Sequence, residues 1–146
     1  MRRAVAAGAV VAFFVSSAPA LAKDWLSFDR AWARPGDTVR AQTTYAQHGN
    51  KLVVYVLPLA SSPRFWSIGY INDYAPDAGP PPHVRGAIRV GTTRAYGQAA
   101  WLAFRMPRVR PGEYVLGVWC KPCNTHWTSA LPNYQPDPRG LLRVRG

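Results

Sequence analysis

Cys120 and Cys123 are the only cysteines in the chain, and they stand three residues apart in Val118-Trp119-Cys120-Lys121-Pro122-Cys123. Two chemistries follow from that spacing. In an oxidising compartment each cysteine has no other partner, and a structural disulfide is the expected state. So small a loop adds little to global stability on the chain-entropy account; it shapes the turn. With His126 the pattern becomes Cys-x2-Cys-x2-His, and two soft thiolates with an imidazole suit copper(I) or zinc. His83 or His48 would supply a fourth ligand from a loop. Disulfide formation competes with metal outside the cell. The expectation is therefore a Cys120–Cys123 disulfide and no cofactor, with copper or zinc at Cys120, Cys123 and His126 as the alternative. Covalent haem requires His directly after the second cysteine, and Asn124 stands there.

The segment Trp119-Cys120-Lys121-Pro122-Cys123, at the end of a predicted strand, resembles the active-site motif of thioredoxin-like oxidoreductases. The resemblance implies that Cys120 attacks as a thiolate and that Cys123 resolves the mixed disulfide. A thioredoxin fold also needs a long helix and further strands after the pair. Residues 124–146 carry Pro132, Pro136 and Pro138 and no helical periodicity. The motif is read as coincidental on that ground, with redox chemistry kept as an alternative.

Other chemistry finds little support. Hydrolysis needs a base oriented beside a nucleophile. His48, His83 and His126 all fall in predicted loops, and Ser61, Ser62, Ser67 and Ser129 sit in no nucleophile-elbow pattern. Asp73 and Asp77 share a loop and suit turns. No glycine loop cradles phosphate. No catalytic residue is assigned, and the expectation is a non-enzymatic binding or structural module. Trp66, Tyr70 and Tyr74 flank a proline-rich loop, and Trp127 and Tyr134 follow the cysteines. If both loops lie at one end, these rings make a candidate binding surface.

These loops need strands to hold them. Fourteen prolines and twelve glycines punctuate the chain too often for long helices. Residues 25–32 and 38–46 alternate apolar and polar side chains, the second with Val39, Ala41, Thr43 and Tyr45 on one face. Residues 52–57 form a β-branched run expected of a central strand. Residues 65–71 suggest a short strand, and 72–85 an irregular surface loop with polyproline II character. Residues 88–94, 100–106, 114–120 and 141–145 complete the set, and 121–139 read as irregular. On the 114–120 strand Tyr114, Leu116, Val118 and Cys120 share a face, with Val115, Gly117 and Trp119 opposite.

About seven short strands with turns between them describe an all-β sandwich. The layout resembles an immunoglobulin-like domain, and Pro111-Gly112-Glu113-Tyr114 is similar to the corner before the penultimate strand of such domains. No cysteine in the second strand supplies the inter-sheet bridge of true immunoglobulin domains. The resemblance implies architecture and not function.

Residues 1–22 read as a cleavable secretory signal. Arg2 and Arg3 precede an apolar run, and Ala20-Leu21-Ala22 closes it. That run is too short to span a bilayer, and no second one exists. Residues 23–146 are then a single exported β-sandwich domain, secreted or held in the cell envelope. The chain carries a formal net charge of +11. That favours an envelope or extracellular protein or an anionic glycopolymer as partner. Nucleic acid is not expected outside the cell.

Overall fold

The computed structural model describes residues 26–43, 48–65, 80–130 and 138–146. They form an all-β sandwich. The strands are β1 (Leu26–Phe28), β2 (Trp32–Ala33), β3 (Thr38–Thr43), β4 (Lys51–Pro58), β5 (Ile88–Arg94), β6 (Ala100–Arg105), β7 (Gly112–Cys120), β8 (Thr125–Thr128) and β9 (Leu141–Val144). One sheet has the order β1-β3-β6; the other has β2-β9-β7-β4-β5, with β8 also paired to β7. Short 3-10 turns at Leu59–Phe65 and Pro138–Gly140 complete the described regular structure.

The alternating strands fold as their pattern requires. β3 alternates exposed and buried along its whole length, with Val39, Ala41 and Thr43 inward. Its partner β6 turns Phe104 inward and leaves Trp101, Ala103 and Arg105 exposed. Opposite them, β4 contributes Leu52, Val54 and Val56, and β7 contributes Tyr114, Leu116, Val118 and Cys120. These residues are the main core.

β4 and β7 are buried on their other face too. Leu57 and Val115 lie under Phe65, Val84 and Ala130 in a second apolar cluster. Phe65 is carried by the 3-10 turn after β4, and Tyr55 and His126 meet its ring edge-on or tilted, with centroids 5.3 and 5.5 Å away. Gly117 makes room for this layer. A Cβ there would stand 2.9 Å from Phe65 Cε1 and 3.0 Å from Leu57 Cδ2.

Several expected elements differ. Residues 25–32 are not one strand: β1 pairs with β3 in one sheet, and β2 runs parallel to β9 in the other. Asp29 turns the chain between them, donating its N–H to Arg40 O and accepting the Arg40 N–H on its carboxylate, both at 3.0 Å. Phe65 ends a 3-10 turn and does not open a strand; 66–71 lie outside the described residues. The 72–85 loop is irregular where it is described, yet its Val84 is buried under the second cluster and is no surface residue. Within 121–139, expected to be irregular, β8 pairs with β7. All four of its side chains are buried. A strand covered on both faces shows no alternation, so its period was invisible.

The corner before β7 is built on Tyr114. Its buried ring donates a hydrogen bond from Oη to Arg110 O at 2.8 Å, the geometry of a tyrosine corner. Burial pushes the Tyr114 phenol above its ordinary value, and the Arg110 guanidinium offsets part of that shift. The folded state thus favours the neutral phenol. Its stabilising contribution is complete below pH ~10, the unfolded phenol value, and is lost as pH rises through the higher folded value.

Tyr114→Phe removes one hydrogen bond and leaves the Arg110 carbonyl without it; urea unfolding at neutral pH should show a loss of about 1 kcal/mol. The same variant should lose less stability than the wild type between neutral pH and pH ~11. Gly117→Ala forces Phe65 or Leu57 to move and should cost about 1–3 kcal/mol in the same assay.

Candidate functional site

Cys120 is the last residue of β7, held between Leu52 of β4 and Thr125 of β8. The chain then turns through residues 121–124. Asn124 adopts φ 52° and its N–H reaches Lys121 O at 3.2 Å, which closes the turn. Asparagine is among the few non-glycine residues that take this left-handed conformation readily. The turn brings Cys123 back to Cys120, and the two form a disulfide with Cα atoms 5.2 Å apart. The expected pairing is thus observed.

The two sulfurs are not equivalent. Cys120 is 0% exposed within the main core. Cys123 packs against that core but is only partly buried. Solvent therefore meets the pair at Cys123. An incoming thiolate must reach the sulfur that it attacks, so attack falls on Cys123 and Cys120 leaves. This reverses the roles implied by the thioredoxin-like motif, where the first cysteine is the exposed nucleophile. Here the first cysteine is anchored at the buried end of a central strand.

Three polar contacts converge on these sulfurs. Asn50 donates from Nδ2 to Cys123 Sγ at 3.1 Å and to Cys120 Sγ at 3.5 Å. The Cys123 N–H donates to Cys120 Sγ at 3.3 Å. A neutral sulfur is a weak acceptor. A thiolate is a far better one, because hydrogen bonds to ionised groups are about twice as strong. The donors are thus already placed for a charge that appears when the S–S bond opens. Asn50 is presented by the turn at residues 48–50, where Gly49 takes φ 83°. Backbone bonds from Gly49 N to Ala95 O and from Ala95 N to Asn50 O, both 3.0 Å, fasten this turn to the end of β5.

The metal alternative finds no assembled ligand set. Across the β7–β8 ladder His126 faces Trp119, whereas Cys120 faces Thr125. Neighbouring residues on a strand point to opposite faces. Cys120 therefore points into the core, and His126 points to the outer layer, where its ring meets Phe65. His83 and His48 are exposed on separate loops. No group of three or more His, Cys, Asp or Glu able to hold a metal occurs among the described residues.

Trp127, expected on a binding surface, is 4% exposed and belongs to the main core. Its register partner is the inward-facing Val118, which turns it inward too. Trp66, Tyr70, Tyr74 and Tyr134 lie outside the described residues. Ser62 is buried, and Ser129 is spent on the backbone: it accepts from Leu116 N at 3.0 Å and donates to Gly140 O at 2.6 Å.

No family model and no curated protein sequence matches the chain. Among solved structures, a cellulose-active polysaccharide monooxygenase from M. thermophila is similar at 12% identity and a TM-score of 0.42. The match covers 80% of this chain and 54% of that one, so this chain spans about half its length. The likeness assigns no reaction here. That neighbour is nevertheless an enzyme, and the expectation of a non-enzymatic binding or structural module is withdrawn, together with the expectation of no cofactor. The physical reason is that a sandwich carries chemistry on the loops at its ends as readily as binding, so the fold cannot exclude catalysis.

The asymmetry of the pair is open to a direct check. Cys120→Ser leaves Cys123 as a free thiol, and Cys123→Ser leaves Cys120. Labelling of the native proteins with an aromatic disulfide reagent should be at least about tenfold faster for the Cys120→Ser chain, because access limits the buried thiol.

Proposed function

We propose that this chain is a thiol–disulfide exchange protein that works through Cys120–Cys123. The observation that carries the reading is the convergence of the Asn50 amide and the Cys123 N–H on Cys120 Sγ. Both contacts strengthen once Cys120 carries the charge of a thiolate, the state that exchange passes through.

The exchange can be written from this geometry. A thiolate of a partner attacks Cys123 Sγ, forming a mixed disulfide, and the S–S bond electrons leave on Cys120 Sγ. The Cys123 N–H and Asn50 Nδ2 stabilise that thiolate, against the burial that disfavours its charge. A second partner thiolate then attacks its own sulfur in the mixed disulfide and releases Cys123. The partner pair ends oxidised and this pair ends reduced. Run backwards, the reduced pair transfers two electrons to a partner disulfide.

The surroundings are compatible with export. The chain holds a disulfide, and no described helix is long and apolar enough to cross a membrane. With a leader over 1–22, the immunoglobulin-like domain at 23–146 would meet partner thiols outside the cytoplasm, where such pairs persist. Its basic charge would draw it to envelope proteins or anionic glycopolymers.

Glutathione buffers of graded potential, followed by alkylation and intact mass, test the reading. The pair should titrate at a potential above about −300 mV, the region of labile disulfides. Asn50→Ala should lower the midpoint by roughly 30 mV, through loss of one charge-assisted hydrogen bond. A pair that stays oxidised below that limit, with or without Asn50, would be a structural crosslink and would sink the proposal.

A further inference from the structure

The turn that carries Asn50 is one half of a larger surface. Beside it lies the β5–β6 turn, closed by the paired Tyr96 N–H to Ala99 O and Ala99 N–H to Tyr96 O bonds at 2.7 and 3.2 Å. His48 Nδ1 accepts the Gly97 N–H at 3.0 Å, and the His48 ring meets Tyr96 edge-on with centroids 5.6 Å apart. These contacts hold Tyr96 at the tip while leaving it 77% exposed. A tyrosine held in this way offers apolar area and a hydroxyl at small entropic cost to binding.

Among the described residues the charge around this tip has one sign. Lys51 and Arg94 are cross-strand neighbours on β4 and β5, Arg94 Nη1 reaches Gly49 O at 3.4 Å, and Lys121 follows Cys120. All three are exposed. Segments 48–51, 94–99 and 120–125 contain no Asp or Glu. The described acidic side chains are engaged elsewhere: Asp29 with Arg30 and the Arg40 N–H, Asp37 with the Arg34 N–H, and Glu113 with Arg143. Asn50 joins this rim directly to Cys123.

We infer that this end of the sandwich is a docking surface for a protein or peptide whose reactive cysteine is flanked by acidic residues. The inference rests on the thiol–disulfide reading above and names its substrate class. Tyr96 supplies the apolar contact, and Lys51, Arg94 and Lys121 attract the flanking carboxylates and raise the encounter rate. The turn at 48–50 links that rim to the attacked sulfur: His48 meets Tyr96, Gly49 O accepts from Arg94, and Asn50 donates to Cys123 Sγ.

The test compares two cysteine peptides, one flanked by glutamates and one by lysines, with neutral 2-mercaptoethanol as reference. Reduction of Cys120–Cys123 in the intact chain is followed by intact mass after acid quench. Each peptide rate is corrected for that peptide's own reactivity towards oxidised glutathione. The acidic peptide should react about tenfold faster than the basic one at low salt, and the ratio should shrink as ionic strength approaches ~0.15 M. Arg94→Gln and Lys121→Gln should each reduce the ratio by roughly threefold. Tyr96→Ala should slow both peptides relative to 2-mercaptoethanol. Equal corrected rates for the two peptides, with 2-mercaptoethanol still reducing the pair, would overturn the docking surface and leave the exchange reading intact. No reduction by any of the three would overturn both.

Discussion

β7 is covered by apolar side chains on both faces, and the positions of the other elements follow from that burial. Tyr114, Leu116, Val118 and Cys120 face the β1-β3-β6 sheet, while Val115 and Gly117 face Phe65 and Leu57. A strand without a wet face needs partners on each side of its ladder, and β4, β8 and β9 provide them. Where β8 ends, the Ser129 hydroxyl takes over as acceptor for the Leu116 N–H. The disulfide begins on the last residue of this strand, so its buried sulfur inherits the rigidity of the core while its partner sits in a turn.

That inheritance separates the two cysteines more than their chemistry does. Identical side chains three residues apart differ because one closes a central strand and the other sits in the turn just before the left-handed Asn124. The polar contacts are equally unequal in origin. The Cys123 N–H is local to the loop, whereas Asn50 arrives from the position just before β4, whose Leu52 the β4–β7 ladder places beside Cys120. A site assembled in this way depends on the register of two long strands. A slip of one residue would turn Cys120 out of the core and away from Asn50.

Much of this was legible in the sequence. The alternation of 38–46 grouped Val39, Ala41 and Thr43 on one face, which is the buried face of β3, and Pro111-Gly112-Glu113-Tyr114 marked a corner that Tyr114 Oη closes. The pairing of Cys120 with Cys123 followed from their being the only two. Other features left no periodic trace. β8 is buried on both sides, so Thr125-His126-Trp127-Thr128 reads as a loop fragment. β1 and β2 form one alternating run although a bend at Asp29 divides them between two sheets. Asn50 stands beside glycine in what reads as an ordinary turn, and no local pattern ties it to cysteines some seventy residues away. The spacing of Cys120, Cys123 and His126 misled for a related reason: spacing counts residues, while the pleat decides which side of the sheet each one faces.

The division of β1 from β2 leaves each sheet, among the described strands, with one very short margin. β1 contributes three residues to the edge of one sheet and β2 two to the edge of the other. β2 is further screened by Trp32, over which the Arg145 guanidinium lies 5.3 Å from the ring centroid. Unpaired N–H and C=O groups on a long edge invite a second chain to add a strand, and such edges seed aggregates. Neither of these margins is long enough to template that addition. The bend at Asp29 thus works against aggregation: it splits one strand long enough to recruit a stranger into two that are too short to do so.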